Sequence, residues 1–402
     1  MFKQALKTPL GDALYIAAFE VILLKHILDA TALYSRPEAF NNVLIVVFFA
    51  LIVPKLILQK YTIKSLFLLG VLTIVVCVSC LSGRFSTLIY GYFLIIAIQG
   101  VDFTKLIKVS CYSKVAILLF HVISYIIAYS LFGVTGSIVR GGRVRHAFFI
   151  GHPNTFTFIM TWTLLELIFI HYKKIRLIHL IAAWIIVFIS YQFTDSNSGI
   201  MVFSVVFVLM LCDKYLNVAV TAILTAMTKF GHIIFSLFFL IYVWIFPTLT
   251  GVAREVWLAI NEFFNGRTLF GSYAMSTYGT TLFGRRIHFP PKVYWQGFWI
   301  DFGEAIHFDN YYLGQYVLFG ILNLILISLA FFVFSKRMEN REKIIIIAFI
   351  FYGMMEAYVT TGAYCFALLI IGKYIFDPKR KTIVSSNTIN EEHVPLWKRK
   401  SA

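Results

Sequence analysis

The run KYLNVAVTAILTAMTK, Lys214 to Lys229, decides how the rest of the chain is threaded. It is apolar enough to approach a membrane span, yet Thr221, Thr225 and Thr228 interrupt it and a lysine closes each end. If it crosses a bilayer, every later loop changes side, and the Lys336–Lys343 cluster and the basic tail would face outward. Basic loops are retained on the cytoplasmic side, so residues 215–229 are expected to lie in the interface. Twelve spans then remain, near 12–30, 43–59, 64–82, 86–101, 115–132, 154–171, 175–192, 198–212, 231–249, 312–334, 343–358 and 361–377.

The solvent assumed in that reading follows from composition. The 402 residues are 60% hydrophobic and 13% charged, against about 25% charged in a soluble domain, and a water-soluble fold could not hide so much apolar surface. The expectation is an all-α polytopic membrane protein: one membrane domain over 1–402, a large external loop at 250–311, and a basic tail at 378–402. Both termini are expected in the cytoplasm, and the first residues show no cleavable signal pattern. The net charge of +16 is read as orientation of the bundle, with no nucleic acid as partner. Cys77, Cys80, Cys111, Cys212 and Cys365 fall in or beside apolar stretches and read as small buried residues.

Sorting the cations by side gives a chemical asymmetry. Lysines predominate inside, among them Lys55, Lys105, Lys108, Lys114, Lys173, Lys174, Lys343 and Lys373. Outside stand Arg36, Arg84, Arg140, Arg143, Arg145, Arg254, Arg267, Arg285 and Arg286, with Lys292 the one lysine. Lysine suffices to anchor a protein against anionic headgroups, whereas arginine grips a phosphate in a planar, bidentate way. The outer face is therefore expected to bind an anion.

Two outer segments are longer than a turn requires. In 133–153, Arg140, Arg143 and Arg145 fall within six residues and precede Gly151-His152-Pro153-Asn154 at the start of a span. Glycines let backbone amides approach an anion, and a helix start attracts one through its free amides and dipole. The plainer reading has Asn154 capping the helix and the arginines touching lipid headgroups. In 250–311, a short surface helix is expected over Val252–Phe264, ended by Asn265-Gly266. Gly284-Arg285-Arg286 follows, and then Asp301, Glu304, His307, Asp309 and Asn310 at the entry to a span. A carboxylate there could remove a hydroxyl proton, and capping by Asp309 or Asn310 is the alternative. Asp195 sits in a tight turn and Glu356 near the outer end of the eleventh span. Among polar residues in lipid, Glu20 and Lys25 read as mutually neutralising and Glu166 as structural. No nucleotide loop or zinc-ligand spacing occurs, so no metal and no cofactor are expected.

The run Arg143…Gly151-His152-Pro153-Asn154, then Phe283-Gly284-Arg285, then Asp309-Asn310-Tyr311-Tyr312-Leu313 with Gly320-Ile321-Leu322, resembles the ordered motifs of Wzy-type polysaccharide repeat-unit polymerases of capsule and exopolysaccharide clusters. The likeness covers nearly the whole chain. His307 departs from related O-antigen ligases, where a histidine directly precedes the asparagine.

The resemblance implies an enzyme of the bacterial cytoplasmic membrane with its site facing outside. It would transfer a growing glycan from undecaprenyl pyrophosphate to an incoming lipid-linked unit. Partners would be undecaprenyl-pyrophosphate-linked oligosaccharides, membrane lipids, a flippase and a chain-length regulator. On that reading Arg143, Arg145 and Arg285, with Arg140 and Arg286, hold pyrophosphate, and His152 and Asn154 order the site. Asp309, beside Asn310, is the first choice of base, and Asp195, Glu304 and Glu356 are its rivals. An O-antigen-type ligase and a flippase or exporter of the same lipids are the competing expectations.

Overall fold

A computed structural model describes residues 9–33, 38–83, 86–134, 137–140, 142–215, 219–301 and 308–376. Arg36, Arg84, Glu304, His307, the tail 378–402 and the side chain of Arg140 lie outside the described residues. The described residues are predominantly helical, which is compatible with the expected all-α membrane protein, and two short β-hairpins interrupt them. In order come α1 (Pro9–Ala30), α2 (Glu38–Ile57), α3 (Ile63–Gly83), α4 (Ser86–Ala97) and α5 (Phe103–Phe132). A hairpin of β1 (Ser137–Arg140) and β2 (Arg143–His146) leads to α6 (Pro153–His171), α7 (Leu177–Thr194), α8 (Asn197–Tyr215) and α9 (Ala219–Ile245). The long loop holds α10 (Gly251–Phe263), α11 (Arg267–Tyr278) and a second hairpin, β3 (Lys292–Trp295) and β4 (Phe298–Asp301). The remainder is α12 (Tyr311–Gly314), α13 (Ile321–Phe334), α14 (Asn340–Gly353) and α15 (Ala367–Phe376).

Among the described residues, seven stretches, in α2, α3, α5, α6, α7, α8 and α9, are long and apolar enough to cross a membrane. The expected spans at 86–101, 343–358 and 361–377 are shorter helices, of 12, 14 and 10 residues. At 1.5 Å per residue they cover roughly 15–21 Å of a hydrocarbon core about 30 Å thick. They do not need to cover more, because α14 and α15 are buried almost end to end and α6 joins them in the interior. The long helices expose large apolar side chains outward, such as Val46, Phe67, Leu119, Ile186 and Trp244.

The segment 215–229 departs from the interfacial expectation. From Ala219 it belongs to α9, one continuous helix of 27 residues that absorbs the expected span 231–249. No glycine or proline breaks it between Ala219 and Phe230, and Lys229 is accommodated by the rings of Phe230 and Phe332, 4.8 and 4.3 Å from its ammonium. From Ala219 on, the segment therefore adds no crossing separate from α9.

The lysine end is also less solvated than expected. Lys114 is buried within α5 and bonded to Glu166 of α6 at 2.7 Å and to Tyr364 O at 2.9 Å. Lys55 donates to Gln99 O, Lys373 pairs with Glu342, and Lys343 is buried as well. Lys55, Lys114 and Lys373 thus link separate elements, while Lys343 bonds within α14, to Asn340 Oδ1 at 3.4 Å. Lys25 pairs with Asp29, one turn on, at 2.6 Å and not with Glu20.

The expected span 312–334 is broken. α12 runs into a five-residue π-helical turn, Gln315–Phe319, which stops at Gly320 (φ 100°). Residues 281–285 lie against the break: Ile321 N donates to Thr281 O, Leu322 N to Leu282 O and Arg285 N to Leu318 O. Irregular backbone inside a membrane bundle survives only where protein satisfies its polar groups, as here. A Cβ on Gly320 would stand 2.5 Å from Gly284 N, so the two glycines permit the contact.

Candidate functional site

The site is built at the end of the bundle opposite Lys105, Lys173 and Lys214, where α6, α8 and α11 begin and α7 and α14 finish. Residues two apart on a strand share a face, so β2 presents Arg143 and Arg145 together. Arg145 is buried; its Nη2 donates to Asn154 Oδ1 at 2.8 Å and its Nε to Thr194 O at 2.9 Å. Arg143 remains largely exposed and reaches Asp195 Oδ1 at 3.0 Å. Asp195 ends α7 in the left-handed conformation (φ 49°), which turns its carboxylate back toward the hairpin.

The chain enters α6 through a tight turn. Phe148 (φ 50°) and Phe149 (φ 58°) are left-handed, a costly conformation for aromatic residues, and Phe149 O accepts from Ala32 N and Thr31 Oγ1. The cap on α6 is His152, whose Nδ1 accepts from Asn154 N at 3.2 Å, with Pro153 at the first helical position. This replaces the plainer reading, in which Asn154 caps the helix, and leaves its side-chain oxygen to Arg145. His152 itself does not line the cavity described next.

From the far side of the sequence comes Arg267, at the first position of α11 after the left-handed Asn265-Gly266 turn. It is buried, and its guanidinium spans two carboxylates: Nε to Asp309 Oδ2 at 3.2 Å and Nη2 to Glu356 Oε1 at 3.2 Å. Glu356 follows α14 in a non-helical connection and so lies beyond the span expected to hold it. Ser198 Oγ donates to the same oxygen at 3.3 Å, while Glu356 Oε2 is buried with no hydrogen-bond partner among the described residues.

These groups enclose a polar cavity of about 260 Å³ lined by Arg143, Arg145, Asn154, Asp195, Ser196, Asn197, Ser198, Asn265, Arg267, Met355 and Glu356. Asn154, Asn197 with Ser198, and Arg267 stand in the first turns of α6, α8 and α11. Three helix starts and three guanidinium groups thus converge on one space, and the Asp195 and Glu356 carboxylates on the same wall offset part of their positive field. Burial pushes the Glu356 carboxyl up to about 7; Asp309 pushes the same way, and Arg267 and Ser198 pull it down. Burial alone would lower the Arg267 pKa, but Glu356 and Asp309 outweigh it and raise it.

The other expected site residues divide. Asn310 caps α12, accepting from Leu313 N at 3.0 Å and donating to Met354 O at 2.8 Å, so it holds Asp309 and the Glu356 connection together. Arg285 and Arg286 do not line the cavity. Arg285 donates from its side-chain Nη2 to Tyr278 O and from its backbone N to Leu318 O, while its Nε is buried with no hydrogen-bond partner among the described residues; Arg286 bonds Ser82 O through its backbone and exposes its side chain. Arg254 lies over the rings of Phe246 and Phe298 at 5.3 and 5.6 Å. The loop arginine that matters is Arg267, which sequence reasoning left outside its site. A signal existed: a cation in a first helical turn opposes the helix dipole and calls for an acidic partner. Compared with protein-family models, with curated proteins and with solved structures, the chain matches none.

Proposed function

We propose that the protein polymerises undecaprenyl-pyrophosphate-linked oligosaccharide repeat units at the outer leaflet of a bacterial cytoplasmic membrane. The observation that carries this reading is the convergence of Arg143, Arg145 and Arg267 with Asp195 and Glu356 around one cavity at the arginine-bearing end of the helices, with Asp309 paired to Arg267. Arg143, Arg145 and the helix starts hold the donor's pyrophosphate. An acceptor sugar hydroxyl gives its proton to the Glu356 carboxylate, its oxygen bonds the anomeric carbon, and the bond from that carbon to the pyrophosphate oxygen breaks. The charge left on the departing lipid pyrophosphate is neutralised by the arginines. Asp309 keeps Arg267 oriented and ranks second as base. A base with a pKa near the working pH is the efficient one, which favours Glu356.

The test incubates purified protein in lipid with undecaprenyl-pyrophosphate oligosaccharide and no nucleotide. A ladder of longer glycans is expected, and Arg145→Met should slow it roughly a hundredfold. Absence of a ladder from intact protein sinks the reading. A carrier of the same lipids is the second reading, favoured by the ion pair Lys114–Glu166 inside the bundle. Translocation of labelled lipid-linked glycan without any ladder would establish the carrier instead.

A further inference from the structure

A second cavity lies beside the first and has the opposite chemistry. It occupies about 560 Å³ between α9 and α10 and is lined by apolar side chains alone, among them Phe235, Phe238, Ala259, Ile260, Phe263 and Met354. Its volume falls in the range of about 300–1,000 Å³ usual for a ligand site. The two cavities touch along the chain at two places. Phe264 lines the apolar groove and Asn265 the polar cavity; Met354 lines the groove and Met355 the cavity.

The groove has a fixed wall. Trp257 of α10 stacks on Tyr242 with ring centres 4.8 Å apart, and each residue donates a side-chain hydrogen bond to the other's carbonyl. Asn261 Oδ1 accepts from Thr268 Oγ1 and Leu269 N, which locks α10 to α11. The groove-lining Val256, Ile260 and Phe263, with Val252 one turn before them, form the exposed apolar face of α10. A helix with one apolar face outward and one face fastened to the bundle suits the edge of a bilayer.

We propose that this groove seats the polyprenyl tail of the lipid whose phosphate head occupies the arginine cavity, and that the lipid enters sideways between α9 and α10. The proposal rests on the lipid-phosphate reading of that cavity and adds the path of the tail. A hydrocarbon tail gains little by leaving surrounding lipid for an apolar groove. What favours occupancy is the tether: once the head is held by Arg143 and Arg145, the first isoprene units meet the groove at a high effective concentration. The groove then fixes the direction in which the chain leaves the cavity, and with it the attitude of the anomeric carbon toward Glu356.

The test uses the full chain in vesicles of phosphatidylglycerol and phosphatidylethanolamine. Undecaprenyl phosphate bearing a diazirine on its first isoprene units is photolysed, and labelled residues are mapped by mass spectrometry. Phosphatidylglycerol with a diazirine on its acyl chain, at the same mole fraction, is the comparison. The expected result is label on Phe238, Ile260 or Phe263, about tenfold above the comparison lipid. Ala259→Trp, which fills the groove from an exposed position, should remove most of it. Val252→Trp, the same change on the same helix outside the groove lining, should leave it intact. Equal labelling by both lipids, labelling elsewhere, or indifference to Ala259→Trp overturns the proposal. Labelling needs no turnover, so a labelled groove without a glycan ladder refutes the polymerase and keeps the groove. A ladder with an unlabelled groove does the reverse.

Discussion

Arg267 carries more of the site than any other side chain, because it faces one buried carboxylate and one half-exposed one at once. If Glu356 is the base, it works only when ionised. The polymerisation rate should therefore fall about tenfold per pH unit below about 7 and level off above it. Arg267→Met removes the cation that stabilises the carboxylate, so the whole limb should move to higher pH. Initial ladder rates across the pH range check both statements, and an unmoved limb in the variant would remove Glu356 from the chemistry. A second residue-scale case is Lys114. Lys114→Met leaves Glu166 buried without its cation and should cost roughly 3–5 kcal/mol in thermal unfolding, much of it recovered in Lys114→Met with Glu166→Leu.

Among the elements, the break between α12 and α13 makes the clearest demand on the sequence. Gly320→Ala would place a Cβ against the backbone of Leu282–Gly284 at a φ only glycine adopts freely, and should cost about 3 kcal/mol or more. Gly70→Ala in α3 meets nothing within 4 Å and should leave the melting temperature unchanged or slightly raised. The contrast marks what a single sequence can convey. Long apolar helices were legible, because lipid imposes hydrophobicity on most exposed positions of α2, α3, α5 and α7. The hairpin arginines and the α10 helix were legible too, from charge density and spacing. The breaks at Gly320 and after Gly353 were not, since an apolar run reads the same whether the helix continues or stops. The division of the loop arginines was hinted at only by the place of Arg267 in a first helical turn. Arg267, Arg254, Arg285 and Arg286 share one loop and one chemistry, and only tertiary contacts send the first into the cavity.

For the whole molecule, the fold is a set of short buried helices inside longer ones, with arginines and lysines at opposite ends of the same helices. We expect the arginine end to face outward. In a background without reactive cysteines, Val139→Cys on the hairpin should react with an impermeant maleimide in intact cells. Lys173→Cys should react only after lysis. The reverse pattern would place the cavity in the cytoplasm and end the polymerase proposal. The adjacency of Phe264 and Asn265, one lining the apolar groove and the other the polar cavity, has a pharmacological corollary. A blocker of both compartments needs a small anionic end and an oily body. It would reach its target by partitioning into the bilayer, and its potency would be set by its dose per mole of lipid rather than per litre of buffer.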